Sequence, residues 1–263
     1  MERTDEFVID RASERTQNEH TENERTDGER ERKFVLSESV AALVLHQIEL
    51  RMRRVIYDRS RPQAWIRTTY LDTDDLALLH SASRIGIARK VRIREYAGAA
   101  PGRPPVLSGA CWLELKESSG GMRTKARFAA PPEVIRELVE SAGSRCRAGL
   151  HTGPILAIRS VRALLRRYAP KPRVTTWYRR DTFASVSGAL RVTLDEGFAV
   201  CRPAFCGAAG TRALPPEVVA TVPSRVLELK HTGPAPLWLE RLVGELDPSG
   251  EWIGTADSAT MQT

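Results

Sequence analysis

The sequence predicts an α+β fold: an antiparallel β-barrel of about eight strands with helices packed on its outside. Two observations lead to this prediction. Segments that alternate charged and aliphatic residues recur along the chain and are separated by glycine- and proline-rich turns, the pattern of antiparallel strands. Segments with helical apolar spacing lie between some of these strands, for example residues 39–54, where Ser37 can cap the helix.

The order of the predicted elements follows from the same two periodicities. The first strand begins at Glu29, and a Pro/Gly-rich loop at 97–110 joins the third and fourth strands. The predicted strands are 29–36, 66–72, 90–96, 112–117, 122–129, 173–185, 190–200 and 224–231. The predicted helices are 39–54, 133–142, 154–168 and 237–246, with a turn or short helix at 74–82.

Charge is distributed unevenly along the chain. Residues 1–28 contain nine acidic residues and four arginines, a net charge of −5, so +12 remains for the rest of a chain whose net charge is +7. We expect residues 1–28 to be a disordered acidic tail, residues 29–247 to form one folded domain and residues 248–263 to be a flexible C-terminal tail. A domain this basic is expected to bind an anionic partner: nucleic acid, an acidic membrane surface or phosphate-rich small molecules.

Other compositional features narrow the class of protein. The chain has no run of about 18 apolar residues and no apolar signal-peptide core, so we expect no membrane insertion and a cytoplasmic location. Aromatic residues make up 6% of the sequence, which argues against a nucleic-acid module that interleaves aromatics with bases. The four cysteines, Cys111, Cys146, Cys201 and Cys206, form no C-x-x-C pair, and their spacing indicates reduced thiols rather than a zinc site.

The segment Glu29-Arg30-Glu31-Arg32-Lys33 shows the pattern on which the functional interpretation depends. Alternate residues of a strand point to opposite faces, so Glu29, Glu31 and Lys33 share one face. Such a row could be a solvent-exposed face or the wall of an ion-binding site. The same parity recurs in later strands, at Lys90, Arg92 and Arg94; Glu114 and Lys116; Arg123, Lys125 and Arg127; Tyr178, Arg180 and Thr182; Arg191, Thr193 and Asp195; and Glu228 and Lys230.

For any one strand, these charges fit the solvent face of an ordinary antiparallel sheet. For the whole set an inward orientation fits better, because the helices need an aliphatic face to cover and the bases lie opposite Ile, Leu and Val. A barrel of about eight strands can hold one small ligand. A polyanion such as a triphosphate would offset the repulsion among the bases, and the glutamates would hold a divalent metal ion bridging phosphate oxygens.

Several motifs together resemble one known group of proteins. They are E-x-E-x-K at 29–33, K-V-R-I-R at 90–94, E-L-K at 114–116 and 228–230, and R-V-T-L-D at 191–195. This set is similar to the triphosphate tunnel superfamily. More narrowly, T-T-Y-L-D-T at 68–73, R-D-T-F at 180–183 and P-x-W-L at 236–239 resemble the VTC domain, the catalytic polyphosphate polymerase domain of the vacuolar transporter chaperone complex. The resemblance covers roughly residues 29–246.

The resemblance implies an eight-stranded tunnel barrel that transfers the γ-phosphate of ATP to a growing polyphosphate chain, with Mn2+ or Mg2+ as cofactor. It implies that Glu228 holds the metal ion, with Glu31 and Glu114 as helpers. The expected partners are ATP and polyphosphate or triphosphate. The residues implied to bind phosphate and support catalysis are Lys33, Arg92, Arg94, Lys116, Lys125, Arg180 and Arg191.

Two other functions stay open at this point. A tunnel triphosphatase that hydrolyses inorganic triphosphate or an organic triphosphate would share every phosphate ligand and differ only in letting water attack. A non-catalytic polyphosphate-binding protein would keep the basic face without the chemistry. VTC domains usually end in a helix that carries a lysine, whereas the last lysine in this sequence is Lys230.

Overall fold

Eleven strands and five helices form from the described residues, which are 7–8, 29–145, 153–208 and 210–246 of the computed structural model. The strands are β1 (Phe7–Val8), β2 (Glu29–Leu36), β3 (Arg53–Ile56), β4 (Gln63–Asp72), β5 (Ala88–Ala99), β6 (Val106–Ser119), β7 (Met122–Ala130), β8 (Lys171–Ala184), β9 (Leu190–Cys201), β10 (Val218–Val222) and β11 (Arg225–Thr232). The helices are α1 (Glu38–Glu49), α2 (Ser81–Ile85), α3 (Pro132–Glu140), α4 (Ile155–Tyr168) and α5 (Leu237–Leu246). All eight predicted strands form, which confirms the α+β prediction.

Antiparallel pairing joins those eight strands into one curled sheet, in the order β2–β11–β9–β8–β4–β5–β6–β7. The sheet does not close, since the two end strands, β2 and β7, share no backbone pairing within the described residues. A side-chain contact crosses this seam, where Nη1 of Arg123 lies 3.8 Å from Oε2 of Glu31. The predicted closed barrel is therefore corrected to a barrel-like sheet. Both end strands are rich in charged residues, as protected sheet edges often are.

Helices α3 and α4 cover one half of the outer face. Ile93, Leu113 and Phe128, which alternate with charged residues in β5, β6 and β7, pack in one apolar cluster with Leu138 of α3 and Leu165 of α4. The alternation predicted from the sequence thus separates an aliphatic outer face from a charged inner face.

Helices α1 and α5 cover the other half. Phe183 of β8 and Leu227 of β11 belong to a second apolar cluster with Ile48 of α1 and residues of α5. The predicted cap of α1 is confirmed, because the Oγ of Ser37 accepts a hydrogen bond from the backbone N–H of Val40 at 3.4 Å. The helices therefore hold the sheet from outside and leave its inner face for the charges.

The predicted end of the first helix is wrong. The helix was expected to continue to residue 54 but ends at Glu49. Arg53 and Arg54 instead pair with Ala184 and Phe183 as strand β3. Pairing with a distant strand outweighs the local helical spacing here, and a four-residue strand has too few positions to show an alternation of its own.

The predicted loop at 97–110 is largely strand. Strand β5 continues to Ala99, β6 begins at Val106, and a register shift lies between Glu95 and Ala97. Alanine and glycine have low strand propensity, so the pairing across this long hairpin is not visible in the local sequence.

The two predicted tails fall mostly outside the described residues. Within 1–28 the structure describes only Phe7–Val8, which pair in parallel with Val55 and Ile56 of β3. Residues 248–263 lie entirely outside the described ranges. In the part of the chain that the structure describes, no helix combines the length and apolarity needed to cross a membrane.

A core substitution in α4 tests whether this helix packs on the outer face of the sheet. Leu165 is fully buried, whereas Leu156 on the same helix is 60% exposed. Leu165→Ala is expected to lower the free energy of unfolding by about 2–5 kcal/mol, because it removes buried methyl groups and leaves a cavity. Leu156→Ala should change it by less than about 0.5 kcal/mol. Urea unfolding of both variants measures the difference, and equal losses would contradict the packing of α4.

Candidate functional site

Charged residues of seven strands share the inner face of the sheet. The register places Arg92 beside Glu114, Glu114 beside Arg127, and Glu228 beside Lys33. Among side chains that the structure describes, the inner-face cations are Lys33, Lys90, Arg92, Arg94, Lys116, Arg123, Lys125, Arg127, Arg180, Arg191 and Lys230, and the carboxylates are Glu31, Glu114, Asp195 and Glu228. Cations outnumber carboxylates more than two to one, which gives this face a strongly positive potential.

The inner face is concave, so groups on distant strands approach each other. Strands β6 and β11 are not neighbours in the sheet. Even so, burial, Arg92 on the adjacent strand and Lys230 on β11 all act to lower the pKa of Lys116, to about 7. The same curvature brings Arg123 of β7 and Glu31 of β2 into contact across the open seam. Cations on opposite walls therefore face a common space that a polyanion would neutralise.

Glu114 is the centre of one group of cations. This side chain is 1% exposed, and its Oε2 accepts a hydrogen bond from Nε of Arg92 at 2.7 Å. Nζ of Lys125 and Nη1 of Arg127 each lie 3.9 Å from Oε1. Burial alone would raise the pKa of Glu114, but Arg92, Arg94 and the other two cations outweigh it and lower the pKa to about 2. Glu114 thus remains ionised and orients the bases around it.

Arg94 differs from Arg92 and Arg180 because, among the described residues, it makes no hydrogen bond or ion pair with a carboxylate, although Glu114 attracts it at longer range. Its Nε lies 3.3 Å from Oγ1 of Thr68, and its Nη2 lies 3.5 Å from the hydroxyl of Tyr178. Arg180, in contrast, donates from Nε and Nη2 to the two carboxylate oxygens of Asp195, at 2.6 Å each. A guanidinium group that has only neutral partners in a basic recess is available to bind phosphate through its two-pronged geometry.

Glu31 and Glu228 form a second group near the seam. Nζ of Lys33 lies 3.0 Å from Glu31 and 3.8 Å from Glu228, and Nζ of Lys230 lies 3.8 Å and 3.1 Å from the same two carboxylates. Burial would raise the pKa of Glu228, but Lys230, Lys33 and Arg180 outweigh it and lower the pKa to about 2. Glu228 is therefore anionic at neutral pH.

Glu228 and Glu31 fit a Mn2+ or Mg2+ ion that is also bound by substrate phosphates. Mg2+ is usually held by one or two carboxylates together with phosphate oxygens and water. Their side chains are 16% and 20% exposed, so both can reach a ligand in the concave space. Within the described residues this face holds no group of three ligating side chains. Glu114 fits such an ion less well than expected from the sequence, because its side chain is only 1% exposed and Arg92 already donates a hydrogen bond to it at 2.7 Å.

Lys125 pairs with Lys116 across β6 and β7, and its pKa is also lowered. Burial lowers the pKa of Lys125 to about 8, with Arg127 and Arg92 acting in the same direction and Glu114 against them. Both lysines keep contact with solvent, so the surrounding cations contribute to the low pKa values together with burial. A bound anion would favour the charged form of both lysines and raise their pKa values.

Arg191 is the predicted site residue that the structure places apart from the others. It has inner-face parity in β9, but it is exposed and donates from Nη2 to the hydroxyl of Tyr57 at 2.7 Å. The remaining predicted residues come together in the two groups around Glu114 and Glu228 and in the Arg94 and Arg180 positions between them.

Three residues absent from the predicted ligands belong to these groups: Arg127, Lys230 and Arg123, the last through its contact with Glu31. Arg127 contacts Glu114 and lies over the ring of Trp112, with its guanidinium carbon 3.8 Å from the ring centroid. Lys230 contacts both carboxylates of the second group. The alternation of side chains along each strand was sufficient to predict Arg127 and Lys230. Arg127 follows Lys125 by two positions, and Lys230 ends the second E-L-K motif.

A curled antiparallel sheet with a basic, concave inner face defines the class of triphosphate tunnel proteins. Within this class, a family model described as the VTC domain matches residues 28–249, and the chain belongs to the VTC domain family. The motif resemblance is thereby confirmed. None of the curated proteins compared with the chain matches it.

Two solved structures illustrate the range of similar folds. A Bacillus halodurans protein, provisionally described as an adenylate cyclase, is 15% identical, and the match covers 89% of this chain and 97% of that one with a TM-score of 0.48. A Pyrococcus horikoshii protein is 14% identical, with 85% and 92% coverage and a TM-score of 0.39.

Proposed function

We propose that this chain is a polyphosphate polymerase that transfers the γ-phosphate of ATP to a growing polyphosphate chain. Membership of the VTC domain family supports the proposal. The observation that carries it is the excess of cations on the concave face, where Arg94 has only the neutral partners Thr68 and Tyr178 among the described residues. Unit charges a few ångströms apart repel by several kcal/mol at intermediate dielectric, so a polyanionic ligand stabilises this arrangement.

The two walls of the concave face suit a linear chain of phosphates. Arg92, Arg94, Lys116 and Lys125 lie on β5, β6 and β7, whereas Lys33, Arg180 and Lys230 lie on β2, β8 and β11. Phosphoryl transfer requires positioning and neutralisation of charge more than a covalent nucleophile, because the acceptor is a terminal phosphate oxygen. In the proposed reaction the two walls align the donor and acceptor phosphates. The guanidinium groups stabilise the negative charge that develops on the equatorial oxygens of the transferred phosphoryl group.

A metal ion completes the proposed site. Mn2+ or Mg2+ held by Glu228 and Glu31 would neutralise negative charge on the phosphate groups. In this proposal Glu114 has a different role from the metal helper expected from the sequence. It fixes the guanidinium of Arg92 and the neighbouring Lys125 and Arg127, so that these cations enter the reaction already oriented.

Chain synthesis from ATP tests the proposal directly. The purified protein is incubated with ATP and Mn2+, and the products are separated on a gel stained for polyphosphate. We expect polyphosphate chains and a matching amount of ADP. A folded protein that yields no chains under these conditions, with or without a short polyphosphate primer, would contradict polymerase activity.

Hydrolysis of triphosphate is the second candidate. The observation that favours it is the pKa of about 7 to which burial and Arg92 lower Lys116, because a large neutral fraction at neutral pH can accept a proton from attacking water. Release of phosphate from inorganic triphosphate, measured beside chain growth from ATP, distinguishes the two reactions. Triphosphate binding with neither reaction would identify a non-catalytic polyphosphate-binding protein.

The affinity for triphosphate is expected to fall as pH rises from about 6 to 9. Lys116 and Lys125 have pKa values of about 7 and 8, and each must be protonated to bind phosphate well. Each lysine contributes a loss of up to about tenfold per pH unit. The free protein should become more stable over the same interval, because the folded pKa values lie below the usual lysine value and deprotonation relieves repulsion. Calorimetry and thermal unfolding across this pH range measure both effects.

The variant Lys116→Arg is the matched control for this pH dependence. Arginine keeps its charge throughout the range, whereas the titration of the phosphate ligand is common to both proteins. The affinity of the variant should therefore fall less steeply with pH than that of the wild type. Identical slopes would show that Lys116 does not titrate as described.

A further inference from the structure

We infer that Glu95, Cys111 and Cys206 form a binding site for a zinc ion on the outer face of the sheet. One ligand atom from each side chain lies within 4.8 Å of the other two. Glu95 and Cys111 are buried on the adjacent strands β5 and β6, where the register pairs them directly. Cys206 is half-buried and reaches them from the segment between β9 and β10. This site is separate from the phosphate-binding face.

The donor set selects zinc over the metal ions proposed for the inner face. Thiolate ligands favour zinc and other thiophilic ions, whereas Mg2+ and Mn2+ prefer oxygen. Zinc binds sulfur at about 2.3 Å and carboxylate oxygen at about 2.0–2.2 Å, so the donors around one ion lie roughly 3–4 Å apart. The three atoms in this cluster are close enough to converge in that way. A water molecule at the partly buried Cys206 side would complete a tetrahedron.

The carboxylate of Glu95 is already oriented toward the cluster. Arg67 donates from Nε to Oε2 at 2.6 Å and from Nη2 to Oε1 at 2.8 Å, and the backbone N–H of Gly207 donates to Oε1 at 2.8 Å. Only one of these contacts reaches Oε2, and the Cys111 thiol also hydrogen-bonds to this carboxylate, so a metal ion would take the place of the thiol proton. Hydrogen-bonded carboxylates of this kind are common partners in protein metal sites.

Charge balance also fits a divalent ion. Two thiolates and the Glu95 carboxylate carry three negative charges, which Arg67 and a divalent cation neutralise completely. A buried site with no net charge avoids the large cost of an uncompensated ion. Each thiol gives up its proton when it becomes a zinc ligand.

The site would fasten an irregular segment to the sheet. The described residues between β9 and β10, 202–208 and 210–217, form little regular structure of their own, and such long loops usually serve a specific function. Gly207 permits the close approach, since a Cβ there would meet Cδ1 of Leu107 at 2.5 Å. Arg94 is the immediate neighbour of Glu95 in β5 and faces the opposite side of the sheet, so zinc would stabilise the wall behind the phosphate ligands.

Zinc content and cysteine variants test the inference. The full chain is purified under reducing conditions, exposed to zinc, passed over a desalting column and analysed for bound metal. We expect an equimolar amount of zinc in the wild type and in the control Cys201→Ser, which removes a buried cysteine outside the cluster. Cys206→Ser should lose the zinc. No zinc in reduced wild type, or equal loss in the control variant, would overturn the inference.

Measurements on the unmodified protein remain informative if a variant fails to fold. Co2+ in place of zinc should give a thiolate-to-cobalt charge-transfer absorption, and zinc should slow alkylation of Cys206. Zinc affinity should rise with pH by up to about 100-fold per pH unit, because two protons are released. A Cys111–Cys206 disulfide that forms readily even with zinc present, or an absent thiolate–cobalt band, would show a redox pair or isolated thiols instead of a metal site.

Discussion

Arg94→Ala is expected to weaken binding of inorganic triphosphate by roughly 30-fold or more while the fold remains intact. The guanidinium of Arg94 lies in the concave face with Thr68 and Tyr178 as neutral partners, so its removal leaves no buried carboxylate without a cation. It also removes repulsion with Arg180. Loss of one desolvated charge-assisted contact costs about 2–5 kcal/mol in binding, or roughly 30-fold or more in affinity. Calorimetric titration with triphosphate measures the effect.

Two variants serve as controls for this prediction. Arg202→Ala removes the same charge from an exposed position, where Arg202 is paired with Glu217, and should change affinity little. Arg94→Lys keeps the charge but not the two-pronged geometry and should retain part of the affinity. Circular dichroism and thermal unfolding establish that each variant is folded. Wild-type affinity in folded Arg94→Ala would exclude the concave face as the phosphate site.

Arg92→Ala should also lose triphosphate binding, but with a loss of stability that sequence reasoning did not anticipate. Arg92 is the closest cation to Glu114, which is 1% exposed, and the other two cations lie 3.9 Å away. Removal of one partner of a buried ion pair costs about 3–5 kcal/mol when the remaining charge is uncompensated, and less here because Lys125 and Arg127 remain. Binding and unfolding measured together separate the two effects.

Glu228→Gln is expected to eliminate the metal dependence of turnover. The carboxylate of Glu228 is ionised at neutral pH and partly open to the concave face, and the amide is a far weaker ligand for Mn2+ or Mg2+. Turnover at saturating metal should fall by at least about 100-fold, consistent with the loss of several kcal/mol of transition-state charge stabilisation. The rate measured against Mn2+ concentration tests this directly.

Triphosphate binding in the presence of a chelator gives the complementary measurement. It should be retained or strengthened in Glu228→Gln, because the variant removes a negative charge from the phosphate site and leaves Lys33 and Lys230 free to contact phosphate. Glu217→Gln, an exposed carboxamide substitution, is the matched control. If Glu228→Gln kept its full response to Mn2+, the metal role of Glu228 would be refuted.

Much of this site was predictable from the sequence because strands have a period of two. Lys33, Arg92, Lys125 and Glu228 were assigned to one face by parity, and the structure brings them to the same concave surface. The same rule would have included Arg127 and Lys230. The helices that cover the aliphatic face were also predicted, since helical spacing and strand alternation are both local patterns.

The partners of each charge were not predictable in this way. Pairing of β5 with β6 and of β6 with β7 places Arg92 and Arg127 on either side of Glu114, which turns an expected metal ligand into an orienting group. Arg191 has the expected parity but lies at the exposed rim beside Tyr57. Parity specifies a face, whereas position along and across the sheet depends on long-range strand order.

The sequence by itself determined the α+β class, the eight main strands, the division into a charged and an aliphatic face, and the family. Each of these depends on short periodic patterns of residue type. The tertiary structure alone decided that the sheet stays open between β2 and β7, that Arg94 has neutral partners, and that Glu95 and Cys111 meet Cys206. These features depend on contacts between residues distant in sequence, whose geometry is set by packing rather than by local propensity.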